Sequence, residues 1–336
     1  MGERHANVDI VGTSSDESRH QELHRRLVAI EERIDLVFEA ERGEPEVLYE
    51  TAKHILQAGG KRIRSLLATL CCEAVGGTFE EALPFAVATE FVQTASLIHD
   101  DVIDEDDTRR GVDSTHKKYG NRMAIIAGDL LIAQAVKLVS KFSSPELMYL
   151  VADAGVKMCE GEASDILMYF TTPKFLTEES YFDIVRRKTV SFMRAATKIG
   201  GMVGKASDEQ LEILDTFGEQ IGYAFQIRDD ILDVIASSTV TGKTVHSDLK
   251  GSKTNYLLIH ALSLCTESEA SRCMDLLNDG NIEFALQLIE KTDAVKHASD
   301  LAQEYAEKAK EVITNKGFMN EYLLCALADL AGDRDF

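Results

Sequence analysis

The chain has 336 residues, 45% of them hydrophobic, with 57 acidic against 36 basic side chains and a formal net charge of −21. That is the composition of a globular protein, large enough for one big domain or two ordinary ones. So acidic a chain argues against nucleic-acid binding, which needs clustered positive charge to release counterions.

Residues Met1–His20 are polar and lack the apolar core of a secretory signal. They read as a mobile tail in front of a single all-α domain spanning 21–336. Leu23, Leu27, Ile30, Ile34, Val37 and Phe38 form a first helical stripe, closed by Gly43-Glu44-Pro45. Val47, Leu48, Ile55 and Leu56 form the next, closed by Gly59-Gly60. Helices are then predicted at about 62–75, 80–103, 122–141, 146–170, 177–203 and 208–236, with shorter ones after 253. The breaks carry Gly76-Gly77, Gly111, Ser143-Ser144-Pro145 and Thr171-Thr172-Pro173. No period-2 strand and no fixed repeat stands out. No apolar run approaches the ~18 residues of a membrane span, so no integral membrane association is expected. The six cysteines are scattered without a CxxC pair. They read as reduced thiols of an intracellular, cytoplasmic protein.

The chemistry concentrates in two acidic runs. Ser96–Gly111 reads SLIHDDVIDEDDTRRG, and Asp100 and Asp104 lie four residues apart on one helix face. Like charges at that spacing repel unless a cation sits between them. Phe225–Asp233, FQIRDDILD, repeats the arrangement with Asp229 and Asp233, among Ile227, Ile231, Leu232 and Val234. Aspartates on so apolar a helix must face a polar cavity. Oxygen-only ligands suit a hard cation, and Mg²⁺ completes its shell with water and substrate phosphate oxygens.

Basic clusters punctuate this acidic chain: Lys61, Arg62 and Arg64 after Gly59-Gly60; Arg109-Arg110; Arg186, Arg187 and Lys188; and Lys243, Lys250 and Lys253. Arginine forks and lysine point charges bind phosphate. Carboxylates for Mg²⁺ beside cations for phosphate imply a diphosphate substrate.

In order, GGKRIR at Gly59–Arg64, DDVID at Asp100–Asp104, RRG at Arg109–Gly111, GDLL at Gly128–Leu131, Lys188-Thr189, FQIRDDILD at Phe225–Asp233 and GKTVHSDLKGSK at Gly242–Lys253 resemble the trans-isoprenyl diphosphate synthase, or polyprenyl synthetase, family. The resemblance implies an all-α isoprenoid-synthase fold with a deep central cavity, usually as a homodimer. It implies condensation of isopentenyl diphosphate with an allylic prenyl diphosphate, with three Mg²⁺ ions when substrate is bound. Asp100, Asp104 and Asp229 would bind metal directly, and Asp101, Asp230 and Asp233 would act through water or as supporting groups. Lys61, Arg64, Gln93 and Arg110 would hold isopentenyl diphosphate. Arg109, Lys188, Thr189, Gln226, Lys243 and Lys253 would hold the allylic diphosphate. Asp100, Asp104, Lys188, Thr189, Asp229 and Lys243 are the candidate catalytic groups. The chain departs from the common pattern at Gln93, His246, Ser252, Asn255 and Leu257.

The residues just before the first acidic run lie deeper on the same helix. The family's short-product members place a bulky aromatic there; this chain has Ala95 and Ser96, with Phe91 and Val92 one turn further down. The product is therefore expected to exceed farnesyl, with a medium or long chain of roughly five isoprene units or more. Geranylgeranyl, with four, is the rival. Met168, Tyr169, Phe170 and Met193 are further candidates to face this channel. A non-catalytic partner subunit would lose carboxylates or lysines that this chain keeps. A cyclase or head-to-head synthase would not need GGKRIR.

Overall fold

The computed structural model describes residues 14–142, 144–168, 176–235, 246, 249 and 255–332. Lys243, Lys250, Ser252, Lys253, Tyr169 and Phe170 lie outside the described residues. The elements in order are α1 (Ser14–Ala40), α2 (Glu46–Leu56), α3 (Ile63–Ala74), α4 (Phe79–Ile103), β1 (Thr108–Arg109), β2 (Val112–Asp113), α5 (Thr115–Tyr119), α6 (Asn121–Ser140), α7 (Pro145–Met168) and α8 (Glu178–Val185). A π-helical turn, Arg186–Val190, then leads into α9 (Ser191–Val203) and α10 (Asp208–Ile235). The chain continues with α11 (Tyr256–Ser263), α12 (Glu267–Asn278), α13 (Glu283–Lys291), α14 (Ala294–Ile313) and α15 (Glu321–Gly332).

Three features depart from the sequence reading. Helix α1 starts at Ser14, inside the segment read as a tail. A two-rung antiparallel hairpin stands where no strand was expected. Its loop is Arg110-Gly111, with φ of 52° and 76°, and positive φ at both positions is the geometry a tight hairpin requires. The helix predicted over 177–203 is interrupted by the π turn, which apolar periodicity alone does not reveal.

Helix α4 starts with a capping box, in which Thr78 and Glu81 satisfy each other's backbone amides. It packs against α3 and α6, while α10 packs against α9 and α14. One apolar core joins α1–α4, α6, α7, α9, the first part of α10, the second half of α14 and α15. A second joins α8, the end of α10 and α11–α14. Val190, at the end of the π turn, belongs to the second core, and Phe192 and Met193, just beyond it, belong to the first. Small residues on both flanking helices make room for that turn. A Cβ on Gly161 of α7 would lie 2.4 Å from the Lys188 amide nitrogen, and one on Gly222 of α10 would lie 2.9 Å from Val190 Cα.

Helix α6 is long and apolar enough to cross a membrane by length and composition, with a mean hydropathy of 1.7. Asp129, Gln134 and Lys137 interrupt its sequence, so no continuous apolar run shows. One face, with Ala124, Ala127, Leu131 and Ala135, is buried, and α6 lies along α4. The opposite face exposes Ile125, Ile126, Ile132 and Val136.

All six cysteines are free, and Cys71, Cys72 and Cys273 are buried.

Candidate active site

The acidic runs end α4 and occupy the last third of α10. Each divides its carboxylates in the same way. Asp100, Asp104 and Asp233 are half-buried and Asp229 is exposed, whereas Asp101 and Asp230 are fully buried. Asp101 accepts from Arg109 Nε at 2.7 Å, and Arg109 Nη2 reaches both Asp101 and Asp106. Asp230 accepts from Tyr181 Oη at 2.9 Å, Gln226 Nε2 at 2.9 Å and the Tyr256 amide at 2.8 Å. Asp101 and Asp230, expected from sequence to support the metal, are thus tied to protein donors. Arg109, expected on the allylic diphosphate, is buried beside Asp101. Further along the first run, Asp107 pairs with Lys117.

Around Asp100 the charges are unbalanced. Burial, helped by nearby Glu162 and Asp104, pushes its pKa from 3.8 up to about 7, despite Lys188 and Arg109. A carboxylate so placed lacks positive charge. Lys188 stands between this group and α7, with Nζ 2.6 Å from Glu162 and 2.7 Å from Asp165. Burial works to neutralise the ammonium; Asp165, Asp100 and Glu162 outweigh it and hold Lys188 charged.

Thr189, the next residue, faces the other helix. Its hydroxyl donates to Gln226 Oε1 at 2.7 Å, and Gln226 Nε2 donates to Asp230. The Lys188-Thr189 pair therefore links the surroundings of Asp100 to those of Asp229. The wide π turn sets these two neighbouring side chains on their separate partners.

The GGKRIR segment divides its work as well. Arg62 is buried, donating to Glu90 at 2.9 Å and to the Leu56 carbonyl at 2.7 Å, and Ser65 also binds Glu90. Lys61 is exposed at the rim, close to Asp229 and Arg228. The Arg64 guanidinium lies 5.3 Å from the Phe192 ring centre and 5.8 Å from that of Phe225. Burial lowers its pKa to about 10, even with Glu90 and Asp229 nearby. Arg110 folds over Gly60, where a Cβ would lie 2.8 Å from Nη2, and donates to the Ile55 carbonyl at 3.2 Å. Burial and the neighbouring Arg62 lower it to about 10 as well. At both cations, as at Asp100, burial outweighs the opposite charge that the protein supplies. Gln93 is half-buried on α4, two helical turns before Asp100.

Of the proposed channel residues, Phe91 and Ala95 are fully buried, and Val92 and Ser96 are half-buried. Phe91 meets Phe38 of α1 edge to face, ring centres 6.1 Å apart. Met193 is buried and Met168 half-buried. His99 Nε2 contacts the Ile125 carbonyl at 3.0 Å.

The donor set fits Mg²⁺: Asp100 is short of positive charge, and the two motifs offer oxygen ligands only. Among the described residues the motif carboxylates do not form a tight three-ligand cluster of their own. Water and a bridging diphosphate are what would complete such a shell.

The sequence profile of the Polyprenyl synthetase family matches residues 45–291. The chain belongs to this family. It is 38% identical over 274 residues to a short chain isoprenyl diphosphate synthase of Methanothermobacter thermautotrophicus, covering 80% of this chain and 84% of that one. It is 34% identical over 326 residues to a geranylgeranyl diphosphate synthase of Methanosarcina mazei, covering 94% and 98%. The crystal structure of geranylgeranyl pyrophosphate synthetase from Pyrococcus horikoshii superposes with a TM-score of 0.84 at 31% identity, covering 96% of this chain and all of that one.

In this polyprenyl synthetase the all-α isoprenoid-synthase fold is as the motifs implied. Sequence reasoning passed over Glu162 and Asp165, which hold Lys188, and Tyr181 and Tyr256, which hold Asp230. Glu162 and Asp165 carry a usable signal, being acids three apart on one helix face. The tyrosines carry none, because their partners lie 49 residues away and 26 residues away. Asn255, a departure from the usual motif, caps α11 and donates to the Asp230 carbonyl at 3.3 Å.

Proposed function

We propose that this polyprenyl synthetase condenses isopentenyl diphosphate with an allylic diphosphate in a Mg²⁺-dependent reaction, as a cytoplasmic homodimer, and releases a product of four or five isoprene units. The observation that carries the reading is the double charge deficit. Asp100 is held short of positive charge while Arg64 and Arg110 are held short of negative charge. A metal diphosphate supplies both.

Asp100, Asp104 and Asp229 would hold Mg²⁺ directly, with Asp233 acting through water. Mg²⁺ held by these carboxylates would supply positive charge for the leaving diphosphate. Lys188 adds fixed positive charge at the same place, and Lys243 and Lys253 are assigned there from the motif order. Lys61, Arg64, Arg110 and Gln93 hold isopentenyl diphosphate with its double bond facing the allylic carbon. Positioning two substrates in this way is worth several kcal/mol of barrier. Thr189 and Gln226 turn oxygen atoms toward the allylic cation. Phe192 and Phe225 keep water from it. The condensation product loses a proton to the departing diphosphate, because the motifs offer no protein base. Asp101, Asp230 and Arg109 are positioning residues.

Phe91, backed by Phe38, is the floor of the growing chain, with Ala95 leaving space above it. That arrangement, and relatives named for geranylgeranyl and geranylfarnesyl diphosphates at 34% and 35% identity against 32% for an octaprenyl diphosphate synthase, support four or five units. The exposed stripe on α6, with Tyr149 and Val156 on α7, supports a dimer face. The test is incubation of the protein alone with Mg²⁺, farnesyl diphosphate and labelled isopentenyl diphosphate, followed by chromatography. Label in a C20 or C25 alcohol after dephosphorylation is the expected result. No uptake of label by the protein alone removes the reading.

A further inference from the structure

Behind the second carboxylate motif lies a cluster that the prenyl-transfer reading does not use. His260 of α11, His297 of α14 and Glu178 at the start of α8 bring one ligand atom each to within 4.8 Å of one another. The two imidazoles stack with ring centres 3.9 Å apart and planes 9° from parallel. His260 Nδ1 lies 3.4 Å from Glu178 Oε1, and His297 Nε2 lies 3.1 Å from the Tyr256 hydroxyl. That hydroxyl also donates to Glu178 at 3.3 Å.

We propose that His260, His297 and Glu178 bind one borderline transition-metal cation of the Zn²⁺ or Co²⁺ type. Two imidazole nitrogens and a carboxylate oxygen are a donor set that such ions accept and Mg²⁺ does not favour. In a tetrahedral site the ligand atoms stand about 3.3 Å apart, so each must close by less than about 1 Å. One ring must also tilt out of the stack, since a metal lies in the plane of each imidazole it binds. The exposure of Glu178 and His297 gives an ion a way in and leaves a fourth position for water. Three helices that are separate in sequence supply the ligands, so an ion there ties α8, α11 and α14 together. The tie is one residue from the second motif: the Tyr256 amide and the Tyr181 hydroxyl both donate to Asp230 Oδ2.

The test uses the full-length protein in millimolar Mg²⁺, which occupies oxygen-only sites, and titrates it with Co²⁺. Visible absorption of a four- or five-coordinate nitrogen–oxygen site, saturating at one Co²⁺ per chain and bleached by Zn²⁺, is expected. His260→Ala and His297→Ala should each weaken the site at least about 100-fold. Circular dichroism in EDTA checks that both remain folded. If either does not fold, Glu178→Gln decides the matter, because its side chain is exposed: weaker Co²⁺ binding supports the site and unchanged binding overturns it. Absence of the absorption at 1 mM Co²⁺, or its persistence in folded His260→Ala, also overturns the proposal. Sulfur-to-cobalt charge transfer would assign the ion to a cysteine instead and overturn it equally.

Discussion

The hydroxyl of Thr189 donates to the side-chain oxygen of Gln226 across 2.7 Å, joining the π turn to the second carboxylate helix. Gln226 in turn donates to Asp230, so one hydroxyl fixes which way the amide faces. Thr189→Val keeps the shape and removes the donor. Turnover should fall about tenfold with little change in KM for either diphosphate, since one oriented dipole near developing charge is worth about 1–2 kcal/mol. Thr189→Ser should restore most of the loss. Unchanged turnover in the valine variant would remove Thr189 from the reaction.

Asp101 and Asp104 belong to one motif and should fail in different ways. Asp101→Ala takes from buried Arg109 its main partner and leaves only the longer contact to Asp106, a loss of about 3 kcal/mol of stability by urea unfolding, the low end for a broken buried pair. Asp104→Ala removes a half-buried carboxylate, leaves stability within about 1 kcal/mol and lowers turnover at least about 100-fold. Equal destabilisation by both would contradict the division between buried and open carboxylates.

Asp100 sets a pH dependence. With its pKa raised from 3.8 to about 7, the folded apoenzyme holds a proton that the unfolded chain releases across that interval. The unfolded state then binds fewer protons, so this group's contribution to stability declines as pH rises from about 4 to 7 and levels off above. Two results follow. Mg²⁺ binding near pH 7 should release protons, read from calorimetry in buffers of different ionisation enthalpy. Asp100→Asn should raise the apoenzyme Tm at pH 8 by about 2 °C while abolishing prenyl transfer. A lower Tm at that pH would mean that Asp100 is not short of positive charge.

Ala95→Phe places a ring above Phe91 on α4 and should shorten the product to farnesyl, measured by chromatography after dephosphorylation. An unchanged product would move the floor elsewhere.

The exposed stripe on α6 gives a prediction for assembly. Ile126→Asp, at a side chain 51% exposed, should leave the proposed dimer monomeric in sedimentation at micromolar concentration, with circular dichroism preserved. A variant that stays dimeric would place the interface off this face.

The sequence was most legible where the chemistry is local. Asp100 with Asp104, and Asp229 with Asp233, share a face because helical geometry alone puts them there. The long helices followed from periodicity to within a few residues at most ends. What stayed hidden depends on contacts distant in sequence. No local pattern separates Asp101 from Asp100 as the buried member, because that requires knowing that Arg109 returns on a hairpin. The hairpin was missed because two rungs are too short for alternation to register. The extra residue in the π turn escapes a helical-period reading because its one mark, Val185 and Val190 sharing a core at a five-residue spacing, shows only once the fold is known.

That extra residue has a consequence for how the chain could change length. Each residue of an ordinary helix turns the chain by about 100°. Deleting one of Arg186–Val190 would let the segment close into a regular helix: the five residues of the wide turn rotate the chain about as far as four ordinary helical ones, so the flanking helices keep their faces while the side chains left inside the turn are redistributed. Lys188 could then stay with Asp165, or Thr189 with Gln226, but not both. Five positions that look interchangeable as helix formers therefore tolerate substitution far better than they tolerate loss, and a sequence drifting by deletion there would keep its fold while uncoupling its two acidic helices.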